Sequence, residues 1–260
     1  MEAFFDLGEV LGDLPGAQVK RNEIGFRKCL EESGIKLRWE MEKKESYLES
    51  CKYYLDFYEK LYSEYLPKDK NADILEIGCG FGWFLYYLDK KNYKNITGID
   101  FDFHKLDIVK RFGIKKVEKA DAFDFLRNKK KPYDLIILTC VLEHISRDKL
   151  HDFLTLIYKN LKKGGKIVVT VPNMEFPLNL RMRYIDFTHQ SGFTVNSLLH
   201  VLYYANFNNL RLKEQFVLPE GKVKRKRYEE SVKFVKELYN GLCIRPPLFY
   251  AEHFICSATK

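Results

Sequence analysis

The run Ile74-Leu75-Glu76-Ile77-Gly78-Cys79-Gly80-Phe81-Gly82 constrains this chain more than any other. Apolar residues lead into three glycines at alternate positions, and a stretch with helical pattern, residues 83–89, follows. A buried strand, a tight turn and a helix N-terminus satisfy that order. Glycine takes backbone conformations closed to other residues and lets a ligand lie against the main chain. A helix start leaves N–H groups without intrahelical partners, so the turn makes a cradle for a nucleotide-like ligand.

From residue 73 onward short apolar runs alternate with helical stretches. The pattern predicts strands over 74–77, 96–99, 116–119, 135–139 and 166–171, and helices over 84–89, 103–112, 122–128, 147–161 and 194–205. Such alternation argues for βαβ units and a parallel sheet. Gly164-Gly165 fits a helix stop before the fifth strand. Two further strands are expected over 210–217 and 249–258, separated by a basic run and a helix over 228–239. Residues 37–66 lack Gly and Pro, and Trp39, Tyr47, Tyr54, Leu55, Tyr58, Leu61 and Tyr62 recur at helical spacing. They predict one or two amphipathic helices ended by Pro67. Gly8, Gly12, Pro15 and Gly16 mark an irregular leader before them. The division expected is an N-terminal helical extension or lid over 1–70 and a main domain over 71–260.

The glycine spacing narrows the ligand. Dinucleotide turns read G-x-G-x-x-G; Gly78, Gly80 and Gly82 read G-x-G-x-G, which resembles the first motif of class I S-adenosylmethionine (SAM) methyltransferases. The second strand closes on Gly98-Ile99-Asp100, and Asp100 lies 20 residues after Gly80. An acid there suits both ribose hydroxyls of a bound nucleoside; a turn residue or cap is the alternative. After the third strand comes Asp121-Ala122-Phe123. In the family resembled, an acid here accepts from the adenine amino group and the next backbone N–H reaches a ring nitrogen. Asp is equally at home as an N-cap. The fourth strand ends in Thr139-Cys140-Val141-Leu142-Glu143-His144-Ile145. Its V-L-E-H-I ending resembles many small-molecule members of the class, and the Asn/Asp-Pro-Pro-aromatic sequence of aminomethylating nucleic-acid enzymes is absent.

The resemblance spans about residues 70–175. It implies a Rossmann-like, seven-stranded, mostly parallel sheet with helices on both faces. It also implies SAM as cofactor and S-adenosylhomocysteine as product. Glu76, Gly78, Cys79, Gly80, Gly82, Asp100, Phe101, Asp121, Ala122, Thr139 and Cys140 are the expected cofactor-binding residues.

The segment after the fifth strand shapes the acceptor pocket in this class, here about residues 173–195. It carries Asn173, Arg181, Arg183, Asp186, Thr188 and His189. The sequence Asp-Phe-Thr-His followed by Phe193-Thr194-Val195-Asn196 resembles methyltransferases of bacterial capsule and other surface polysaccharides, which implies a sugar- or phosphate-containing acceptor. His189 is the first candidate for a general base, since histidine titrates near working pH. Asp186 or Glu143 would orient it, and His144 and Glu143 are the other catalytic candidates. A purely structural hydrogen-bonding role for His189 and Thr188 is the alternative. Arg181, Arg183 and Asn173 are candidates for the acceptor, arginine's fork suiting phosphate or carboxylate oxygens.

A net charge of +8 fits acidic or phosphorylated partners but selects none. The basic run 222–227 is expected as a solvated loop, with an anionic glycan, nucleic acid or membrane as its alternatives. The six cysteines show no C-x-x-C pair and no metal-ligand spacing, so no metal is assigned. Scattered thiols, an acidic N-terminus without signal-peptide pattern and no membrane-length apolar run suggest a cytoplasmic protein without a membrane span. The sequence therefore reads as an O-methyltransferase, with a small-molecule N-methyltransferase, an RNA methyltransferase and a non-catalytic SAM-binding protein as rivals. Nucleic acid is the less favoured partner.

Overall fold

The structure, a computed structural model, describes residues 43–128, 131–184, 186–219 and 221–260, with the backbone of two short strands, Phe4–Phe5 and Lys36–Leu37, paired in parallel. The leader carrying Gly8, Gly12, Pro15 and Gly16 falls outside these residues.

Helix α1 (Lys44–Tyr62) precedes the sheet. Strands β1 (Asp73–Ile77), β2 (Asn95–Asp100) and β3 (Val117–Lys119) alternate with helices α2 (Trp83–Lys90) and α3 (Phe103–Arg111). Helix α4 (Ala122–Asn128) leads to β4 (Tyr133–Thr139), and α5 (Arg147–Asn160) leads to β5 (Leu161–Pro172). The short α6 (Arg181–Tyr184) and α7 (Val195–Tyr204) come next, then β6 (Asn208–Glu214), α8 (Lys222–Gly241) and β7 (His253–Thr259).

The seven strands lie in the order β3-β2-β1-β4-β5-β7-β6. β1 pairs in parallel with β2 and β4, and β4 in parallel with β5. β7 inserts antiparallel between β5 and β6. The expected sheet, with one antiparallel strand in its final pair, is therefore present. Chain order reverses between β1 and β4, so the loops leaving those two strands diverge and open a crevice at their C-terminal ends.

Continuous apolar runs make central strands because both faces are covered. Ile74, Leu75 and Ile77 in β1, and Leu135, Ile136, Ile137 and Leu138 in β4, are all at most 1% exposed. One face packs against α5 and α7 through Phe153, Leu154, Ile157, Leu198 and Leu202. The other meets α1 and α2 through Tyr58, Leu61, Tyr62, Phe84, Tyr87 and Leu88. The aromatic periodicity is thus packing where it falls within residues 43–66, Tyr47 and Tyr62 being 1% exposed; Trp39 lies outside the described residues. Tyr54 also stacks on Trp83 at 4.3 Å between ring centroids.

Most element boundaries shift by a residue or two from expectation. Three differences have clear causes. The basic run 222–227 is the first part of α8 rather than a loop; Lys and Arg are good helix formers and nothing there breaks the helix. Gly164 and Gly165 lie inside β5, with α5 already ended at Asn160. A Cβ on Gly165 would meet the Lys162 carbonyl at 2.9 Å and the Tyr133 carbonyl at 3.0 Å. The glycine permits close backbone approach where the β4–β5 register shifts between Tyr133 and Leu135. The expected strand over 249–258 begins only at His253, because Tyr250 and Ala251 give their N–H groups to the Glu214 carboxylate instead of a ladder.

Candidate active site

The turn after β1 closes on itself and on β2. Gly78 and Cys79 donate their N–H groups to the Ile99 carbonyl at 2.8 and 3.0 Å, and Gly82 donates to Cys79 at 2.8 Å. Gly78, Gly80 and Gly82 all have positive φ, at 70°, 50° and 69°. A Cβ at Gly78 would lie 2.6 Å from Val141 Cγ2, whereas one at Gly80 would meet no atom of the described residues within 4 Å. Gly80 therefore faces open space, and that space divides into two connected lobes.

One lobe is lined by Asp100, Phe101, Lys105, Asp121, Ala122 and Phe123, together with His144 and Thr188. The Asp100 carboxylate accepts from Gly80 N at 2.8 Å and from Asp102 N at 2.9 Å. It thereby locks the glycine turn to the end of β2. Two of its roughly four lone-pair sites are used, leaving acceptor capacity at the mouth of the lobe. Asp121 caps α4 by accepting from Asp124 N at 3.0 Å while its own residue borders the same space. The cap and the lobe-lining position coexist on one residue. Phe101 is exposed at the rim.

The other lobe is lined by Glu76, Gly78, Cys79, Phe81, Thr139 and Cys140 below, and roofed by Tyr53, Tyr54, Phe57, Tyr58 and Trp83. The roof is contributed mainly by α1. Glu76 is 2% exposed, and its Oε2 has no hydrogen-bond partner. Burial and the charge of Asp100 push its carboxyl well above the usual range. A cationic group in this lobe would relieve that cost. Deeper in, the Tyr62 hydroxyl accepts from Gln215 Nε2 at 2.8 Å and bonds Thr170 Oγ1 at 2.7 Å. His253, also on this wall, is pushed down to about 4 by burial, which Glu252 only partly offsets. It is neutral near pH 7.

Where the two lobes meet, β4 ends at Cys140, whose φ of 55° is unusual for a side-chain-bearing residue. The short 3-10 turn Leu142–His144 follows. The Glu143 carbonyl accepts from Gln190 N at 2.7 Å and Ser191 N at 2.9 Å, which clamps the loop before α7 onto the end of β4. This brings His189 beside His144, with ring centroids 4.8 Å apart. His144 Nδ1 lies 2.7 Å from Thr188 Oγ1, and Thr188 Oγ1 donates to Asp186 Oδ1 at 2.6 Å. His189 Nδ1 lies 2.7 Å from the Met182 carbonyl. Burial pushes the Asp186 carboxyl up, but the Thr188 hydroxyl and N–H outweigh it and hold the group below its ordinary value. Burial and the neighbouring His189 hold His144 below the ordinary imidazole value. Glu143 is 2% exposed, and neither carboxylate oxygen is in hydrogen-bonding geometry with a donor. Burial pushes it up to about 8, a rise that its own N–H and the Cys140 thiol offset in part.

The three expected acceptor residues are placed differently. Asn173 is fully buried, donating to the Phe249 and Ala251 carbonyls and accepting from Glu175 N. Both ends of its amide are occupied within the chain, where they brace the loop. Arg183 donates to the carbonyls of His189 and Gln190 and so holds the loop that carries them. Arg181 pairs with Glu252 at the exposed rim. The residues that sequence reading missed are Gln215 and His253, which line the same lobe as the α1 aromatics of the expected extension or lid but come from segments far from it in the chain.

A doubly wound sheet with a glycine cradle and an acid at the neighbouring strand end, at the switch point, defines a nucleoside-cofactor domain. The chain belongs to the methyltransferase-domain family, whose sequence profile matches residues 49–212. It carries a SAM-dependent methyltransferase domain. The residues present suit that cofactor: Gly80 meets no described atom on its open side, Asp100 keeps free acceptor capacity, and Glu76 presents a buried oxygen, Oε2, without a hydrogen-bond partner among the described residues. A SAM-dependent methyltransferase from Archaeoglobus fulgidus has the same fold, at 22% identity and a TM-score of 0.62, covering 81% of this chain and 94% of that one. Phosphoethanolamine N-methyltransferase 2 of Haemonchus contortus, in complex with SAM, aligns at 17% identity and a TM-score of 0.55, covering 77% of this chain and 51% of that one. O-methyltransferase 3 of Dictyostelium discoideum is 33% identical over 112 residues, 39% of this chain. The alignment spans only 26% of that relative's length. No helix among the described residues is long and apolar enough to cross a membrane.

Proposed function

We propose that the protein is an O-methyltransferase acting on a hydroxyl or phosphate-linked oxygen of a small surface-glycan precursor. The observation that carries this reading is the Glu143–His144–His189 cluster at the junction of the two lobes. An oxygen acceptor must shed a proton as it attacks, and a group of two imidazoles and a carboxylate handles that proton. An amine arriving as its neutral free base attacks without such a group.

SAM supplies an electrophilic methyl group on sulfur. The chain's own residues do the rest. The glycine turn and Asp100 fix the nucleoside end, and Glu76 answers the positive charge of the cofactor. The α1 aromatics exclude water from the lobe. His189, held by Met182 and by Arg183 on its carbonyl, is the proposed proton acceptor, with His144 and Glu143 beside it. In-line displacement gains most of its acceleration from positioning, which the clamped loop provides. Arg181 at the rim remains within the reading as a contact for an acceptor phosphate, since its partner Glu252 is itself partly exposed.

The test is S-adenosylhomocysteine release with nucleotide-activated sugars and phosphorylated glycan precursors, run beside bulk RNA and small amines. Release with a sugar or phosphosugar is expected. Release only with amines would favour N-methylation. Release only with RNA, with binding that weakens steeply with salt, would overturn the small-molecule reading. SAM binding without release on any acceptor would favour the non-catalytic rival.

A further inference from the structure

We propose that Glu143, His144 and His189 hold a divalent transition-metal ion at the junction of the two lobes, where it binds and ionises the acceptor hydroxyl. This deepens the proposed function and rests on an oxygen acceptor.

Three observations carry it. First, one ligand atom from each of the three residues lies within 4.8 Å of the others. Among the described residues no donor, neither histidine included, reaches a Glu143 oxygen in full hydrogen-bonding geometry, and the nearby Cys140 thiol offsets its burial only in part. That 4.8 Å limit is close to twice a metal–ligand bond of about 2.1 Å, the separation one shared ion requires.

Second, the hydrogen bonds around the cluster leave one bare ring nitrogen, Nε2, on each imidazole. The Met182 carbonyl can only accept, so His189 Nδ1 carries a proton and its Nε2 is bare in the neutral ring. Thr188 spends its hydroxyl proton on Asp186, so its oxygen accepts from His144 Nδ1–H and leaves His144 Nε2 bare. Metal-bound histidines characteristically give their other N–H to a carbonyl or a carboxylate-linked group, which sets the tautomer. Both arrangements occur here side by side.

Third, Glu143 is a 2% exposed carboxylate with both oxygens unpartnered. An unpaired buried polar group is costly, and a cation between it and two bare nitrogens removes the cost. Two imidazoles and one carboxylate favour zinc, manganese, cobalt or iron over magnesium, which prefers oxygen ligands. Three protein ligands leave coordination positions open for the acceptor, as catalytic metal sites do.

In the resulting step the acceptor hydroxyl binds the metal and loses its proton to solvent, because a bound cation lowers the pKa of a coordinated hydroxyl. The alkoxide oxygen forms a bond to the methyl carbon. The carbon–sulfur bond breaks and its electron pair stays on sulfur, giving neutral S-adenosylhomocysteine. His189 then acts as a ligand and the metal takes over the task of activating the oxygen.

The experiment is direct metal binding by purified, metal-stripped protein, with neither SAM nor acceptor present. Mn2+ is followed by electron paramagnetic resonance and Zn2+ by calorimetry, with Mg2+ for comparison. One Mn2+ or Zn2+ per chain is expected, with Mg2+ weaker. Glu143→Gln should weaken binding at least 10-fold. Thr188→Val, which removes the hydroxyl linking His144 to Asp186 and no proposed ligand, should weaken it roughly 10- to 100-fold. No stoichiometric binding to the wild-type protein would overturn the proposal, as would equal affinity in wild type and a folded Glu143→Gln variant. Because no methyl transfer is read, failure here leaves the O-methyltransferase reading standing, and failure of that reading leaves this result interpretable.

Discussion

Replacing Asp100 tests how the cofactor end of the site is built. Its carboxylate holds the N–H groups of Gly80 and Asp102 at 2.8 and 2.9 Å and keeps free lone pairs toward the lobe. Asp100→Ala removes the anchor of the glycine turn and the acceptors for the ribose hydroxyls together. Hydrogen bonds to a charged group contribute about 1.5–3 kcal/mol each. Losing two ribose contacts at the lower bound costs about 3 kcal/mol, roughly 100-fold in Kd. Asp100→Asn keeps one acceptor oxygen but turns an NH2 toward the backbone N–H groups, so roughly a 10-fold loss is expected from about 1.4 kcal/mol. Calorimetric titration with SAM reads both variants, with circular dichroism confirming that each is folded. A folded Asp100→Ala protein that binds SAM within threefold of wild type would refute the assignment of Asp100 to the ribose.

Three further outcomes follow from the same geometry. Gly98→Ala would place a Cβ 2.4 Å from Leu85 Cδ1 and 3.0 Å from Cys79 Sγ; overpacking of about 1–3 kcal/mol should lower Tm by several degrees in a thermal melt, and an unchanged Tm would contradict the packing account. Burial raises the Asp73 carboxyl, but ion pairs with Lys131 and Lys162 outweigh it and hold the group below its ordinary value of 3.8. Its stabilising contribution is therefore present above that value and is lost as pH falls below it; Asp73→Asn should flatten the acid limb of a denaturation profile there, and an identical acid limb would count against it. His189→Ala should cut turnover roughly 100-fold or more with little change in SAM affinity, and a near-wild-type rate would return His189 to a structural role.

What could be read from the sequence was local. The glycine turn, Asp100, Asp121 and the end of β4 sit within a few residues of a strand end, where backbone pattern alone dictates placement. The alternation of β1 to β5 with helices was legible for the same reason. What escaped was assembled across distance. Tyr62 meets Thr170 and Gln215 only because α1 crosses the sheet, and no periodicity encodes that crossing. The aromatic stripe of α1 was legible as an amphipathic helix of an extension or lid, but which lobe it lines depends on where Trp83 lies. Asn173 read as an acceptor contact because it follows a strand in the right place; three hydrogen bonds to the chain around Phe249, Ala251 and Glu175 consume it. Arg183 read as a phosphate binder, yet two carbonyls of its own loop occupy it. Polar residues in a loop announce that bonds will be made, and only the fold decides with whom. The Glu143–His144–His189 group shows this most clearly: no metal spacing appears in the sequence, because the clamp of the Glu143 carbonyl on Gln190 and Ser191 is what brings His189 in.

The measurement that bears most directly on the central claim is the fate of a 13C-labelled methyl group from SAM. The enzyme would be incubated with labelled cofactor and the phosphorylated or nucleotide-activated sugars, and the product examined by carbon-detected NMR. The account predicts a new methyl resonance in the O-methyl region, coupled to a sugar or phosphate position, that disappears with His189→Ala. Label found only on nitrogen, or only in added RNA, or no transferred label while SAM binds, would contradict it.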